Sequence, residues 1–367
     1  MIITIFDRAE EVHLKKDVGK FSDTIAQKVG CNNFLLTTRM IDKKESRETL
    51  KRTKIVNIRN KKFFALNFSV ISYIVRNLSA NMLITYHLRY PSLIYAIIFK
   101  VLSHDGRSII KCDLGDVSIK EHGVFHGGKI RTYIEKILLS FYSKIGGELT
   151  IETENAKREL ESRLGNVSKR LVIKVVPNGI DPLKVSVRNK KKRVITVGRI
   201  GAAEKNHILL FNAIKRLKKE NAELFNQWEF RFIGPIEGEF LDIAEKNENK
   251  NIHFTGNLVD GRMLFEEYSE AKVFVLPSLS EGYPLVVPEA IYNDLYIIST
   301  PVSSVEEIIK LNGQFGEVLP DFSIFEMTDK LKKLLASEEI NIKKINTNKN
   351  RLTWSSIVDD FLSEKNK

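Results

Sequence analysis

The chain has 367 residues and a mass of 42.1 kDa, room for two domains of ordinary size. With 43% hydrophobic and 28% charged residues it is not a disordered or fibrous chain. Its two cysteines, Cys31 and Cys112, exclude a disulfide framework and a Cys-rich zinc site and fit a reducing compartment. The formal net charge of +12 lies wholly in residues 1–170, which hold 30 Lys and Arg against 18 Asp and Glu, whereas residues 171–367 hold 28 of each.

In chain order, Ile2–Phe6, Phe34–Thr37, Met82–Tyr86, Ser108–Cys112 and Gly147–Ile151 read as strands in the first half. Ser22–Lys28, Pro91–Leu102 and Lys129–Tyr142 read as helices between them. Residues 51–100 carry nine basic side chains and no acidic one, interleaved with Phe63, Phe64, Phe68 and Tyr73. Such a field favours an anionic partner, and an acidic bilayer surface suits the interleaved aromatics. Glu148–Thr153 reads as the last strand of the first domain. Leu164–Val187 reads as the connection, with a short strand before the turn Pro177-Asn178-Gly179. The second half has strands at Arg193–Val197, Glu229–Ile233, Ile252–Phe254, Val273–Leu276 and Tyr296–Ser299, with helical patterns such as HILLFNAIKRLKKE between them. Two such alternating sets imply two Rossmann-like α/β domains, residues 1–170 and 171–351, with the inter-domain cleft as the expected site.

The start, MIITIFDRAEEVH, meets acidic residues within seven positions and does not read as a signal peptide. The apolar run Pro91–Phe99 falls well short of the ~20 residues that span a bilayer. The expectation is a cytoplasmic protein that at most rests on a membrane.

Two clusters hold chemistry. In VITVGRIGAAEKNH (Val194–His207) an apolar strand ends at Gly198, followed by Arg199 and Lys205 near the start of a helix. Cations at a strand end beside a helix N-terminus suit a diphosphate, and the spacing is not that of a P-loop. In VFVLPSLSEGYPLVVPEAI (Val273–Ile291) a buried strand ends at Leu276, followed by Glu281, Gly282 and, eight residues after Glu281, Glu289. These carboxylates can accept hydrogen bonds from sugar and ribose hydroxyls, or serve as ordinary first-turn acids of a helix. His122 and His126 share a Gly-rich loop at a spacing a metal could use, but no third ligand lies nearby in sequence, so loop mobility is the plainer reading.

SEGYPLVVPEA resembles the E-x7-E motif of retaining glycosyltransferases built from two Rossmann-like domains, the GT-B fold, and specifically glycosyltransferase family four. VGRIGAAEKN, VVPNGID, FIGP (Phe232–Pro235) and FTGNL (Phe254–Leu258) resemble that family's other segments and occur in its order. The resemblance implies a transferase that moves a sugar from a nucleotide-diphosphate donor to an acceptor hydroxyl, in assembly of a bacterial surface polysaccharide or glycolipid. It implies that Arg199 and Lys205 neutralise the diphosphate, Glu281 holds the donor sugar and Glu289 the ribose. Backbone N–H groups of Leu285 and Val286 would meet the phosphates, and Thr255–Leu258 the base. Pro288 stands where the family more often has an aliphatic residue, and proline is tolerated in a first helical turn.

VHLKKDVGKFSDTIAQKVG resembles the family's first glycine loop, with Gly19 near the phosphates and Lys16 and Lys20 beside an anionic acceptor. Asp113 falls at the family's acidic position near the reacting centre, with His87 as the other candidate. RLTWSSIVDDFL, within residues 352–367, resembles the helix that crosses back onto the first domain, anchored by Trp354. The expected partners are a nucleotide sugar, a lipid-linked or saccharide acceptor and an anionic membrane. No D-x-D triplet occurs, so no metal or other cofactor is expected. The alternative is an epimerase or hydrolase of the same fold that lacks an acceptor. Nucleic acid is not an expected partner, because no zinc-finger, RNP or KH-type pattern occurs.

Overall fold

The computed structural model describes residues 1–63, 65–103, 105–125, 127–183, 189–258, 260–313, 316–337 and 349–363, with backbone alone at 43, 45, 62 and 63. The chain divides into two compact units: Met1–Gly179 together with helix Trp354–Ser363, and Ile180–Thr353.

The first unit contains β1 (Ile2–Ile5), β2 (Asn33–Thr37), β3 (Thr53–Asn57), the short antiparallel pair β4 (Lys62–Phe63) and β5 (Leu66–Asn67), then β6 (Met82–Tyr86), β7 (Arg107–Lys111), β8 (Glu148–Ile151) and β9 (Val172–Val175). Apart from the β4–β5 pair these form one parallel sheet in the order β3-β2-β1-β6-β7-β8-β9. Every residue of β1 and β6 is buried, because helices cover both faces of a parallel sheet and such strands read as unbroken apolar runs. Alternation along β1 sorts the two layers. Ile2 packs with Phe21, Ile84, Trp354 and Phe361 on one face, and Ile3 with Leu36, Leu83 and Phe99 on the other.

The short strand seen in the expected connection is β9, the edge of the first sheet. Glu148–Thr153 is therefore not the last strand of this unit, which continues past residue 170. The sequence reading also missed β3, whose residues are only half buried and mixed in polarity. Helix Trp354–Ser363 sinks Trp354 and Phe361 against Phe21, with ring centroids 6.3 and 5.3 Å apart.

The second unit contains β10 (Arg193–Val197), β11 (Glu229–Ile233), β12 (Ile252–Gly256), β13 (Val273–Leu276), β14 (Tyr296–Ser299) and β15 (Gly316–Val318). All are parallel, in the order β12-β11-β10-β13-β14-β15, the doubly wound arrangement that reverses direction between β10 and β13. Phe230, Phe232, Val273 and Val275 face one helical layer, and Ile195, Ile233, Phe274 and Leu276 the other. Both units are thus Rossmann-like, the architecture of the GT-B fold.

Candidate active site

In the second unit the carboxyl ends of β10, β11 and β12 are laced together through their turns. Gly198 N–H donates to Ile233 O (3.0 Å), Gly234 N–H to Gly256 O (3.0 Å) and Ile200 N–H to Pro235 O (2.8 Å). Gly234 has φ +132°, and a Cβ there would stand 1.9 Å from Gly198 O, so only glycine permits this approach. Gly198 and Arg199 follow β10 directly, at the crevice beside β13.

Lys205 ends the single turn Ala203–Lys205. Its Nζ donates to Glu281 Oε1 at 2.7 Å, and Ser278 Oγ donates to the same oxygen at 2.7 Å. Ser278 is fully buried, and its carbonyl accepts from Thr300 Oγ1 at 2.5 Å. Leu279 N–H donates to Glu204 O at 2.8 Å, so the turn after β10 and the loop after β13 are joined by backbone as well as side chain. Arg199 is more than half exposed and pairs with Glu204 and, at 3.6 Å, with Glu237. The two cations are therefore not a bare positive pair: three carboxylates face them.

Glu289 lies in the first turn of helix Val286–Tyr292, where Tyr268 OH donates to its Oε2 at 2.9 Å. Burial strips water from this carboxyl and raises its pKa to about 7. Leu285 caps that helix, and the N–H groups of Leu285 and Val286 precede its first recorded bond, Val287 N–H to Pro284 O at 3.0 Å. Pro288 is buried inside the first turn without breaking the helix. Gly282 is exposed in the loop before it. Thr255 lies near the end of β12 and bonds Gly256 O, while Leu258, Val197, Tyr283 and Val286 all pack on one apolar cluster. Lys205 and Glu281 thus touch, Arg199 is tied to the same turn through Glu204, and Glu289 sits one helical segment on without recorded contact to Glu281.

In the first unit, His87 follows β6 and Asp113 follows β7, on neighbouring strands. Their ring and carboxylate are 3.9 Å apart. Both have left-handed backbone (φ 62° and 50°), a conformation costly for side-chain-bearing residues and concentrated at functional sites. Burial lowers the His87 pKa, against the pull of Asp113. The pair borders a cavity of about 500 Å³ with Arg89, Ser118 and Glu135, and His87 also borders a second of about 400 Å³ with Phe6, Arg8, Tyr86 and Tyr90. Glu135 is 1% exposed and accepts from Tyr90 N–H (3.0 Å) and Arg131 Nε (3.1 Å).

Gly19 departs from the glycine-loop expectation. It lies inside helix Asp17–Val29, where a Cβ would stand 2.2 Å from Leu14 O, so its absent side chain serves packing against the preceding helix Glu11–Leu14. Lys20 donates to Thr49 O at 2.9 Å, and Lys16 is the exposed N-cap residue of the helix. His122 ends a different helix, Asp116–His122, 3.7 Å from Glu121, and His126 lies outside the described residues. Among the described residues no group of three or more His, Cys, Asp or Glu is placed to hold a metal ion.

The sequence reading missed the supports. Ser278 and Tyr268, which hold Glu281 and Glu289, carry no signal beyond ordinary serine and tyrosine. Below the His87–Asp113 pair, fully buried Lys111 pairs with Glu152 and, at 3.6 Å, with Asp17. Burial opposes the Lys111 charge, but these carboxylates and Asp113 outweigh it and raise its pKa, while burial lifts Glu152 to about 7 despite Lys111. A lysine closing the apolar run of β7 was the visible clue.

Residues 191–337 match the family model described as "Glycosyl transferases group 1". The chain is 30% identical over 247 residues to the capsular polysaccharide biosynthesis glycosyltransferase CapH of Staphylococcus aureus, a stretch covering 64% of this chain and 66% of CapH. It spans just under two thirds of that relative, and 45% of an α-(1→4)-mannosyltransferase of Mycolicibacterium hassiacum, to which it is 27% identical over 50% of its own length. Among solved structures, a glycosyltransferase of Rickettsia africae superposes with a TM-score of 0.70 at 16% identity, covering 99% of this chain and 97% of that one. HepE of Anabaena, solved with UDP and glucose, gives 0.67 at 12% identity, covering 100% and 99%. The chain is related to glycosyltransferases of the GT-B fold.

Proposed function

We propose that this protein is a retaining glycosyltransferase of the family-four type. It moves a sugar from a nucleotide-diphosphate donor to a hydroxyl of a lipid-linked or saccharide acceptor. The observation that carries the reading is the Lys205–Glu281–Ser278 cluster at the carboxyl ends of β10 and β13, within the stretch the family model matches. CapH supports a role in building a bacterial surface polysaccharide or glycolipid, and HepE, solved with UDP and glucose, supports a nucleoside-diphosphate donor. The excess charge of residues 1–170 supports work at an anionic membrane on the cytoplasmic side.

In this reading the diphosphate draws Lys205 from Glu281 and Arg199 from Glu204 and Glu237, replacing carboxylate charge with phosphate charge. Those cations then stabilise the negative charge that grows on the leaving diphosphate. Glu281 is left to accept from the donor sugar's hydroxyls, Glu289 accepts from the ribose, and the base lies along Thr255–Leu258. Gly198 and Gly282 keep side chains away from the phosphates. The first unit takes the acceptor, with His87, Asp113, Lys16 and Lys20 as its candidate contacts. The acceptor hydroxyl attacks from the face the diphosphate leaves and passes its proton to the departing phosphate oxygen, which retains configuration.

A thermal-shift screen with UDP, GDP, ADP, CMP and dTDP tests this. One diphosphate is expected to stabilise the protein, and Lys205→Ala to abolish that shift. No shift with any nucleotide overturns the reading. Turnover of the matching sugar nucleotide without an acceptor assigns the epimerase or hydrolase alternative instead.

A further inference from the structure

The two cavities of the first unit share a wall and differ in charge. His87, Arg89 and Arg131 border both. The smaller, about 400 Å³, adds Arg8 and Asp7, so three guanidinium groups face one carboxylate. The larger, about 500 Å³, adds Asp113 and Glu135, which balance its two arginines. Arg8 and Arg89 stand three residues past the ends of adjacent strands β1 and β6. Arg89 is thus the member of the basic stretch 51–100 that reaches a cavity. Of the aromatics expected to meet a bilayer from that stretch, Phe68 is exposed and Tyr73 half-buried, while Phe64 and the Phe63 side chain lie outside the described residues.

Arg131 is held in place. Its Nε donates to buried Glu135 Oε1 at 3.1 Å, and its guanidinium carbon lies 5.4 Å from the centroid of the Tyr90 ring. With Nε spent, its two Nη groups have no partner among the described residues. Arg8 and Arg89 are exposed, and neither side chain has a bond or ion pair among the described residues. The other polar groups of this wall are satisfied: Tyr86 OH donates to Asp17 O (3.0 Å), Ser92 Oγ to Tyr86 O (2.8 Å), and Tyr95 OH accepts from Asn67 N–H (2.7 Å). What the smaller cavity lacks is negative charge. Three like charges gathered there repel one another, and a bound oxyanion relieves that cost. Guanidinium edges present paired donors that match carboxylate and phosphate oxygens. Phe6 and Tyr90 add apolar ring area to the same wall, and a volume of about 400 Å³, at the small end of ligand pockets, suits one sugar residue. On the other side of the wall, Glu135 Oε2 has no partner among the described residues and can accept from a hydroxyl.

We propose that the acceptor is an acidic sugar. Its carboxylate or phosphate lies among Arg8, Arg89 and Arg131 in the smaller cavity, its ring packs on Phe6 and Tyr90, and its hydroxyls turn to Asp113 and Glu135 in the larger one. The inference rests on the reading of the first unit as the acceptor's unit and narrows the class of acceptor. It is independent of which sugar the donor carries.

Saturation-transfer NMR titrations of the full chain test it. The probes are glucuronate and galacturonate, glucose 6-phosphate and galactose 6-phosphate, and neutral glucose and galactose. One acidic set is expected to bind roughly tenfold or more tightly than its neutral parents, with affinity falling as salt rises. Whether uronates or phosphates bind names the acidic group. The double variant Arg8→Gln/Arg89→Gln should weaken that binding roughly tenfold, with melting temperature and nucleotide-induced shift unchanged, because those side chains hold nothing else in the fold. Arg131→Gln should weaken it as well. No binding by any acidic sugar, equal binding of acidic and neutral sugars, or a double variant that binds as well as wild type overturns the proposal. Acid-sugar binding in a protein whose melting curve no nucleotide shifts sinks the transferase reading and leaves the acid-sugar site standing. A nucleotide shift without acid-sugar binding does the reverse.

Discussion

The two Rossmann-like units share a strand plan and hold their candidate site residues in different ways. In the second, the residues come from loops that adjoin in the sheet, and the loops are fastened by backbone: the turns after β10, β11 and β12 bond one another, and Leu279 N–H bonds Glu204 O. In the first, the backbone at His87 and Asp113 is left-handed, and beneath it lies a buried ionic group gathered from β7, the residue after β8 and the start of helix Asp17–Val29. A backbone-fastened site can be spelled in short motifs. A site propped by buried charges from distant segments cannot, because each member looks ordinary where it stands.

The comparison can be broken most severely at Lys111. Lys111→Met leaves buried Glu152 and half-buried Asp17 without their cation and should cost about 3–5 kcal/mol. Denaturant melts should show the loss as early unfolding of the first unit while the nucleotide-induced shift of the second persists. A variant as stable as wild type would mean the network is idle.

Next in size is Lys205→Ala. Steady-state transfer with the matching donor should fall by roughly 10²–10³ in kcat, the usual cost of one preorganised electrostatic contact. An unchanged kcat would remove Lys205 from the reaction.

Gly234→Ala asks whether the second site depends on backbone closeness. A methyl group 1.9 Å from Gly198 O forces the β10 and β11 turns apart, and the expected destabilisation is about 2–4 kcal/mol with loss of nucleotide binding. Gly19→Ala is its counterpart in the first unit, with clash against Leu14 O and nucleotide binding retained.

The Glu289 carboxyl gives a pH signature. Its pKa is near 7 in the folded protein against an ordinary value of 4.5. The folded state therefore keeps a proton the unfolded chain releases, and this contribution to stability is full below about pH 4.5 and lost as pH rises through about 7. Glu289→Gln should flatten that part of the melting-temperature profile. Nucleotide affinity should move the other way, rising through about pH 7 as the carboxylate becomes able to accept from the ribose, and the variant should lose that rise in a calorimetric titration.

The smallest effect sharpens the electrostatics. Glu237→Gln frees Arg199 from an exposed ion pair worth about 0.2–1 kcal/mol, so diphosphate binding should tighten by up to roughly fivefold. Weaker binding would show that Glu237 helps hold Arg199 in place.

The order of strands and helices was written in the sequence, because strands buried on both faces must be apolar throughout and helices must carry a period of 3.6. The same local rules displayed Gly198, Arg199, Lys205, Glu281 and Glu289 in the loops and first helical turns that follow strands β10 and β13. β3 escaped because an edge strand half open to water has no such pattern, and β9 was visible as a strand but not as a member of the first sheet. Tertiary structure alone decided that Gly19 packs inside a helix, that Lys205 and Arg199 face carboxylates, that Tyr268 and Ser278 hold the two glutamates, and that Arg8, Arg89 and Arg131 line one cavity. The physical reason is common to all four: which groups lose water, and what they meet when they do, depends on neighbours brought together by the fold, and a linear pattern records only the neighbours along the chain.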